Sequence, residues 1–274
     1  MPPELITSAQ NPKIKRLLAL QKDSSLRREC GLFVVEGRRE LQHCIDAGFE
    51  IDTVFVCPEI AGDIANCLKS AENEAKRPAY PARSNYFEVS EAVYDRIAYR
   101  GGTEGVIAEV KVKSLKLNDL QLKENPLIMV LEAVEKPGNL GAVLRSADAA
   151  GADAVLVCDP LTDLWNPNLI RASIGAIFTV PCVACSSEEA IGWLQSKGIQ
   201  ILTAQLQDSS LYYDCNLRKG TALIMGTEST GLSQQWRAAA TAHIRIPMLG
   251  ELDSLNVSVS AAILLFEAVR QRQA

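Results

Sequence analysis

The sequence predicts an α/β protein: a parallel-sheet α/β domain in the C-terminal half, preceded by a smaller N-terminal α/β layer. Three observations predict it. Strand-length apolar runs alternate with helical stretches along the chain. Residues 112 to 126 are polar, with no apolar segment long enough for a core element, and separate two such series. Beyond Pro126, apolar runs are followed by turns and helices, the order that builds a parallel sheet with its site at the strand C-terminal ends. The 274 residues suit two modest domains. The expected division is 1–111 as a first domain, 112–126 as a linker and 127–274 as the second domain.

In the first domain Asn11-Pro12 starts a helix whose apolar stripe is Ile14, Leu17, Leu18 and Leu20. Leu32–Val35 reads as a strand, and Glu36-Gly37-Arg38-Arg39 turns into another helix. Thr53–Cys57 and Gly105–Val110 are the next strands. The linker leucines Leu115, Leu117, Leu120 and Leu122 are expected to pack locally. In the second domain Leu127–Val134 is a buried strand, followed by the turn Glu135–Asn139, a helix through Ala150 and the strand Ala154–Cys158. Asn166 caps and Pro167 opens another helix. Strands are expected near Thr179–Val183, Ile199–Ala204, Ala222–Met225 and His243–Ile246. A last helix from Ser258 to Arg270 is expected to turn Ala261, Ala262, Leu265 and Val269 inward.

Composition excludes several classes. The longest apolar run, around Leu127–Val134, is too short to cross a bilayer. Met1-Pro2-Pro3-Glu4 lacks the basic start and apolar stretch of a secretory signal, so the cytoplasm is the expected compartment. There are eight cysteines, and Cys57, Cys158 and Cys182 sit in or beside apolar strand runs, where free cysteine behaves as a small hydrophobe. Cys182 and Cys185 have the spacing of a redox or zinc pair, but no second pair accompanies them and His43 and His243 are isolated. No metal is expected. The net charge of −5 argues against a general nucleic-acid binder. Locally, however, Lys13, Lys15, Arg16, Lys22, Arg27 and Arg28 face only Asp23 and Glu29. On its own that stretch reads as a solvated helix face.

Three segments at strand ends carry candidate chemistry. Asn139-Leu140-Gly141-Ala142-Val143-Leu144-Arg145 follows the first strand of the second domain, with Asn139 placed to cap the helix. Met225-Gly226-Thr227-Glu228-Ser229-Thr230-Gly231-Leu232-Ser233 has two glycines that let backbone approach a ligand closely. It is no P-loop, because no Lys follows Gly231, and it lacks a dinucleotide fingerprint. Ile246-Pro247-Met248 ends a strand, and Ser254-Leu255-Asn256-Val257-Ser258 leads into the last helix. Each segment alone is compatible with ordinary capping and turn architecture.

In this order the three segments resemble the motifs of the SpoU–TrmH RNA 2′-O-ribose methyltransferases, within the SPOUT class. The resemblance spans Leu127 to about Arg270, and its last motif is the most specific. Thr227 stands where Asn or Ser is common, and Asp253 where Glu is frequent. Leu32–Gly37 and Gly105–Ala108 resemble that family's ribosomal-protein-like RNA-binding domain. The resemblance implies S-adenosylmethionine as cofactor, RNA as substrate (ribosomal before transfer RNA), and a homodimer built on a domain tied into a C-terminal trefoil knot. Carried over by position, Arg145, Asn139, Glu228, Ser254 and Asn256 are the expected catalytic set. Gly226, Ile246 and Leu255 are expected to bind the cofactor through backbone groups, with Thr203, Leu223, Met225, Met248 and Asn256 as neighbours. Lys13, Lys15, Arg16, Arg27, Arg28, Arg38 and Arg39 become candidates for holding RNA, and removing residues 1–30 is expected to weaken RNA binding while sparing the cofactor. The second domain carries ten basic and fourteen acidic residues, so bulk charge cannot attract RNA there.

Two other readings compete. A nucleotide-binding α/β protein using Pro137–Gly141 as its phosphate turn needs a glycine fingerprint that is absent. A non-catalytic RNA-binding homodimer of the same fold is disfavoured by the presence of all five polar motif residues.

Overall fold

A computed structural model describes residues 3–62, 85–99, 104–227, 230–251 and 254–273. Two compact units are present: 1–113 with 165–178, and 114–164 with 179–274.

The first unit holds a five-stranded mixed sheet. Its elements are β1 (Glu4–Ile6), α1 (Pro12–Lys22), α2 (Ser24–Cys30), β2 (Leu32–Glu36), α3 (Arg38–Asp46), β3 (Ile51–Val56), α4 (Pro58–Ala61), β4 (Tyr86–Val89), α5 (Glu91–Ile97) and β5 (Val106–Lys111). The strand order is β1-β4-β3-β5-β2, with β5 antiparallel to both β2 and β3. Asn11 accepts from Lys13 N and Pro12 opens α1, which places Ile14, Leu17 and Leu20 fully inside the core while Leu18 is only partly covered. The segment α7 (Pro167–Ser173) and α8 (Ala176–Thr179) follows Trp165. Trp165 stacks on Phe33 at 4.4 Å, and Phe49 and Phe178 complete the aromatic cluster.

The second unit holds seven parallel strands. They are β6 (Leu127–Glu132), β7 (Ala154–Cys158), β8 (Cys182–Cys185), β9 (Gln200–Ala204), β10 (Ser210–Leu211), β11 (Thr221–Met225) and β12 (Ala242–Arg245), in the order β10-β12-β9-β11-β6-β7-β8. Its helices are α6 (Pro137–Ala149), α9 (Ser187–Ser196), α10 (Gln234–Ala239) and α11 (Val257–Gln273). Every residue of β6, β7 and β11 is buried, the mark of strands covered on both faces. The chain runs outward from β6 through β7 to β8, then returns to β9 and inserts β11 between β9 and β6. That reversal makes a topological switch point, where open α/β sheets bind ligands.

Some local expectations change. Pro137 already begins α6, so Asn139 is its third residue and not its cap. Thr179 ends a helix, and the following strand is Cys182–Cys185. The inner face of α11 is Val257, Ala261, Leu264, Leu265 and Ala268, whereas Ala262 and Val269 are half-buried. The four linker leucines pack against the core of the second unit.

Candidate functional site

A cleft of about 450 Å³ opens at the C-terminal ends of β9, β11 and β12. Met225–Thr227, Thr230–Leu232, Ile244–Ile246, Met248, Ser254, Leu255 and Val257 line it, together with the chain leaving β9 at Ala204–Gln207. The second and third motifs therefore share one wall system. Glycine is required at Gly226, where a Cβ would stand 2.5 Å from Gly231 O and 2.6 Å from Leu232 N. The turn is closed by Gly231 N donating to Thr227 O at 3.1 Å and by the paired Thr227 and Thr230 hydroxyls at 2.7 Å. Gly231 itself has φ +68°, which favours glycine.

A smaller pocket of about 150 Å³ adjoins this cleft and shares Gly226, Thr227 and Val257 with it. Ala133–Lys136 and Asn139 supply its remaining wall. Asn256 Nδ2 donates to Asn139 Oδ1 at 3.1 Å, joining the first motif to the third. The Asn256 side chain also accepts from Ser258 N at 2.9 Å, so the residue caps α11 while making that bridge.

The remaining predicted residues divide. Thr203 and Leu223 are buried and line neither pocket; Thr203 Oγ1 shares a 2.6 Å hydrogen bond with His243 Nδ1 between the paired strands β9 and β12. Arg145 is exposed on α6 and lines neither pocket. Glu228 lies outside the described residues.

Several residues at the site were not foreseen. Gln205, Arg237 and Arg245 line the larger cleft. Glu132, at the end of β6 and almost fully buried, accepts from Ser233 N at 2.9 Å and so ties the second motif to the sheet. Its signal in the sequence is a carboxylate ending an otherwise apolar strand, because a buried carboxylate needs a donor.

Among the basic candidates, Lys15, Arg28 and Arg39 are exposed. Lys13 pairs with Glu4 at 3.2 Å and lies over the Phe87 ring. Arg16 pairs with Asp52 at 3.0 Å and with the fully buried Glu109. Burial pushes the Glu109 carboxyl up, and Arg16 opposes that shift. Arg38 donates to Ala61 O at 2.6 Å. Arg27 must be withdrawn from the RNA-facing set: it is buried, and Nη1 donates to Leu20 O at 2.6 Å near the end of α1.

No described helix is long and apolar enough to cross a membrane. Among the described residues no group of three or more His, Cys, Asp or Glu side chains is placed to hold a metal.

Residues 126–266 match the SpoU rRNA methylase family, and residues 11–108 match the MRM3-like substrate-binding domain. The chain is 37% identical over 193 residues to the 23S rRNA (guanosine-2′-O-)-methyltransferase RlmB of Vibrio parahaemolyticus, covering 68% of this chain and 78% of that protein. It is 27% identical over 273 residues to the 23S rRNA (uridine(2479)-2′-O)-methyltransferase of Streptomyces viridochromogenes, covering 97% and 92%. The solved AdoMet-bound rRNA methyltransferase from Sinorhizobium meliloti superposes with a TM-score of 0.86 at 30% identity, over 97% of each chain. With a match over residues 126–266 that spans the whole second sheet, the chain belongs to the SpoU rRNA methylase family.

Proposed function

We propose that this protein transfers the methyl group of S-adenosylmethionine to a ribose 2′-hydroxyl of ribosomal RNA, acting as a cytoplasmic homodimer. The observation that carries the reading is the junction at Gly226-Thr227, where the larger cleft and the smaller pocket meet. A cofactor in the first and a ribose in the second face each other across a glycine that has no room for a side chain. The backbone cradle fits the cofactor, because a Cβ at Gly226 would push its two loops apart.

S-adenosylmethionine supplies an already electrophilic methyl group. The chain must then position the hydroxyl in line and provide for its proton, and positioning alone can contribute several kcal/mol. Asn139 and Asn256, bridged to each other, fix the wall on the ribose side. Ser254 and Leu255 close the cleft beside the cofactor. Arg145 holds the RNA phosphate through its guanidinium, which stays protonated and so is no literal base; the proton passes to that phosphate or to water. Glu228 is assigned to orienting Arg145. Lys15, Arg28 and Arg39 steer RNA toward the first unit.

The dimer reading is supported by an apolar stripe on the outer face of α11, where Val259 and Phe266 are each 48% exposed. The trefoil knot is likewise part of the proposal, and rests on the resemblance to the family.

The test is transfer of labelled methyl from S-adenosylmethionine to total RNA from a strain lacking the gene, followed by alkaline digestion. Label in alkali-resistant dinucleotides of the ribosomal fraction is expected, since cleavage needs a free 2′-hydroxyl. Label in mononucleotides means base methylation and overturns the assignment. Label confined to transfer RNA overturns the substrate alone.

A further inference from the structure

The larger cleft has an electrostatic imbalance that its proposed ligand must answer. S-adenosylmethionine carries a sulfonium and an ammonium against one carboxylate, so it is a net cation. The described lining nevertheless contains Arg237 and Arg245 and no Asp or Glu. Bringing a cation beside two guanidinium groups is unfavourable unless an anion lies between them. Arg237 donates through Nε to Leu232 O at 3.2 Å. Arg245 is half-buried at the end of β12, and among the described residues no hydrogen bond or ion pair to its guanidinium occurs.

A complementary want stands beside it. Gln205 also lines the cleft, and its Oε1 is buried without a hydrogen-bond partner among the described residues. Ala204 pairs with Ile244 in the ladder and Gln205 N donates to Ile244 O at 3.0 Å, so Gln205 and Arg245 sit side by side at the ends of adjacent strands. A buried acceptor next to an unanswered guanidinium matches a group that is cationic and anionic on one carbon.

We propose that Gln205 and Arg245 form the seat for the α-amino-acid end of S-adenosylmethionine, Arg245 taking the carboxylate and Gln205 Oε1 the ammonium. This rests on the methyltransferase reading and deepens it. A charge-assisted pair to a carboxylate inside a cleft is among the stronger hydrogen bonds available, and it selects against cofactor analogues that lack the carboxylate.

The experiment titrates the full chain with S-adenosylmethionine and with decarboxylated S-adenosylmethionine by calorimetry, for the wild type, Arg245→Met and Gln205→Leu. The wild type is expected to prefer the carboxylated ligand by about tenfold or more, an affinity difference of ~1.4 kcal/mol. Arg245→Met is expected to lose that preference while binding the decarboxylated ligand as the wild type does. Gln205→Leu is expected to weaken both ligands, since both keep the ammonium. A wild type that binds the two ligands equally overturns the seat without needing any variant. So does an Arg245→Met protein that weakens both ligands alike, or one that loses only RNA affinity, which would assign the guanidinium to a phosphate. A wild type that binds no S-adenosylmethionine at all removes the methyltransferase reading together with the seat.

Discussion

Gly226 and Gly231 bring two stretches of backbone into contact, and the site depends on that approach. A methyl group at Gly226 must displace Gly231 O and Leu232 N, both within 2.6 Å of where it would sit. Overpacking of this kind costs about 1–3 kcal/mol, and the strain falls on the cleft wall. Gly226→Ala is expected to weaken S-adenosylmethionine binding by about 5- to 150-fold by calorimetry, with the far-ultraviolet spectrum unchanged. A variant that binds as the wild type does would show that the loop contact is not part of the cofactor seat. A second residue-scale constraint is the Arg16–Glu109 pair. Glu109 is fully buried and its carboxyl is held up by burial, an effect Arg16 counters. Arg16→Ala leaves that carboxylate without its cation, at about 2–3 kcal/mol given that Arg16 is itself half exposed. An acid whose folded pKa is raised keeps its stability below the unfolded value and loses it as pH rises through the folded value. The thermal midpoint of Arg16→Ala should therefore fall further below the wild type at pH 8 than at pH 5. An equal deficit at both values would remove Glu109 as the cause.

Between elements, one hydrogen bond connects two of the motifs and another ties a motif to the sheet. Asn139 on α6 and Asn256 before α11 are 117 positions apart and bond at 3.1 Å. Their alanine variants should therefore be non-additive in single-turnover rate, with a coupling of about 0.5–1.5 kcal/mol. Strict additivity in the double-mutant cycle would separate them into independent caps. Glu132 links β6 to the Ser233 turn in the same way. Much of this arrangement can be read from the chain. The apolar strands and the helix opened by Pro12 fall where their local patterns put them, and Met225, Gly226, Ile246, Met248, Ser254 and Leu255, singled out by motif position, line one cleft. β1, β4 and β10 show no such pattern, because strands of two to four residues are too short for a periodicity that stands out in sequence. Gln205 and Arg245 are invisible to a local reading for another reason. They become neighbours only because β12 pairs with β9, and that pairing is a property of sheet order. Arg27 misleads because its charge suggests a solvated face, while its guanidinium turns back onto the backbone of α1.

At the scale of the whole molecule, the structure changes how RNA binding and assembly must be tested. Removing residues 1–30 would take Ile14, Leu17 and Leu20 out of the first unit's core, each fully buried. The deletion would then report unfolding, at about 2–5 kcal/mol for each large side chain lost. Charge reversal of the exposed Lys15 and Arg28 avoids the core, and should weaken RNA binding while lowering its salt dependence. An unchanged salt slope would place RNA on another face. The proposed dimer turns on α11. Its inner side, Val257, Ala261, Leu264, Leu265 and Ala268, is buried within the unit, so the exposed Val259 and Phe266 on its outer side are not needed for that core. Exposed apolar side chains one or two turns apart on a helix form a stripe that a second copy can cover. Two-fold symmetry makes each residue count twice, and because Phe266 is already about half covered, burying the rest in both copies contributes roughly 1.5–3 kcal/mol, half of what full burial of two such side chains would give. Phe266→Asp would place a carboxylate at the same contact twice over. Light scattering at micromolar concentration should accordingly show a dimer for the wild type and a monomer for Phe266→Asp, with the folded spectrum retained because the substituted position faces outward. A dimeric Phe266→Asp protein would move the interface off this stripe, and a monomeric wild type would remove the dimer altogether.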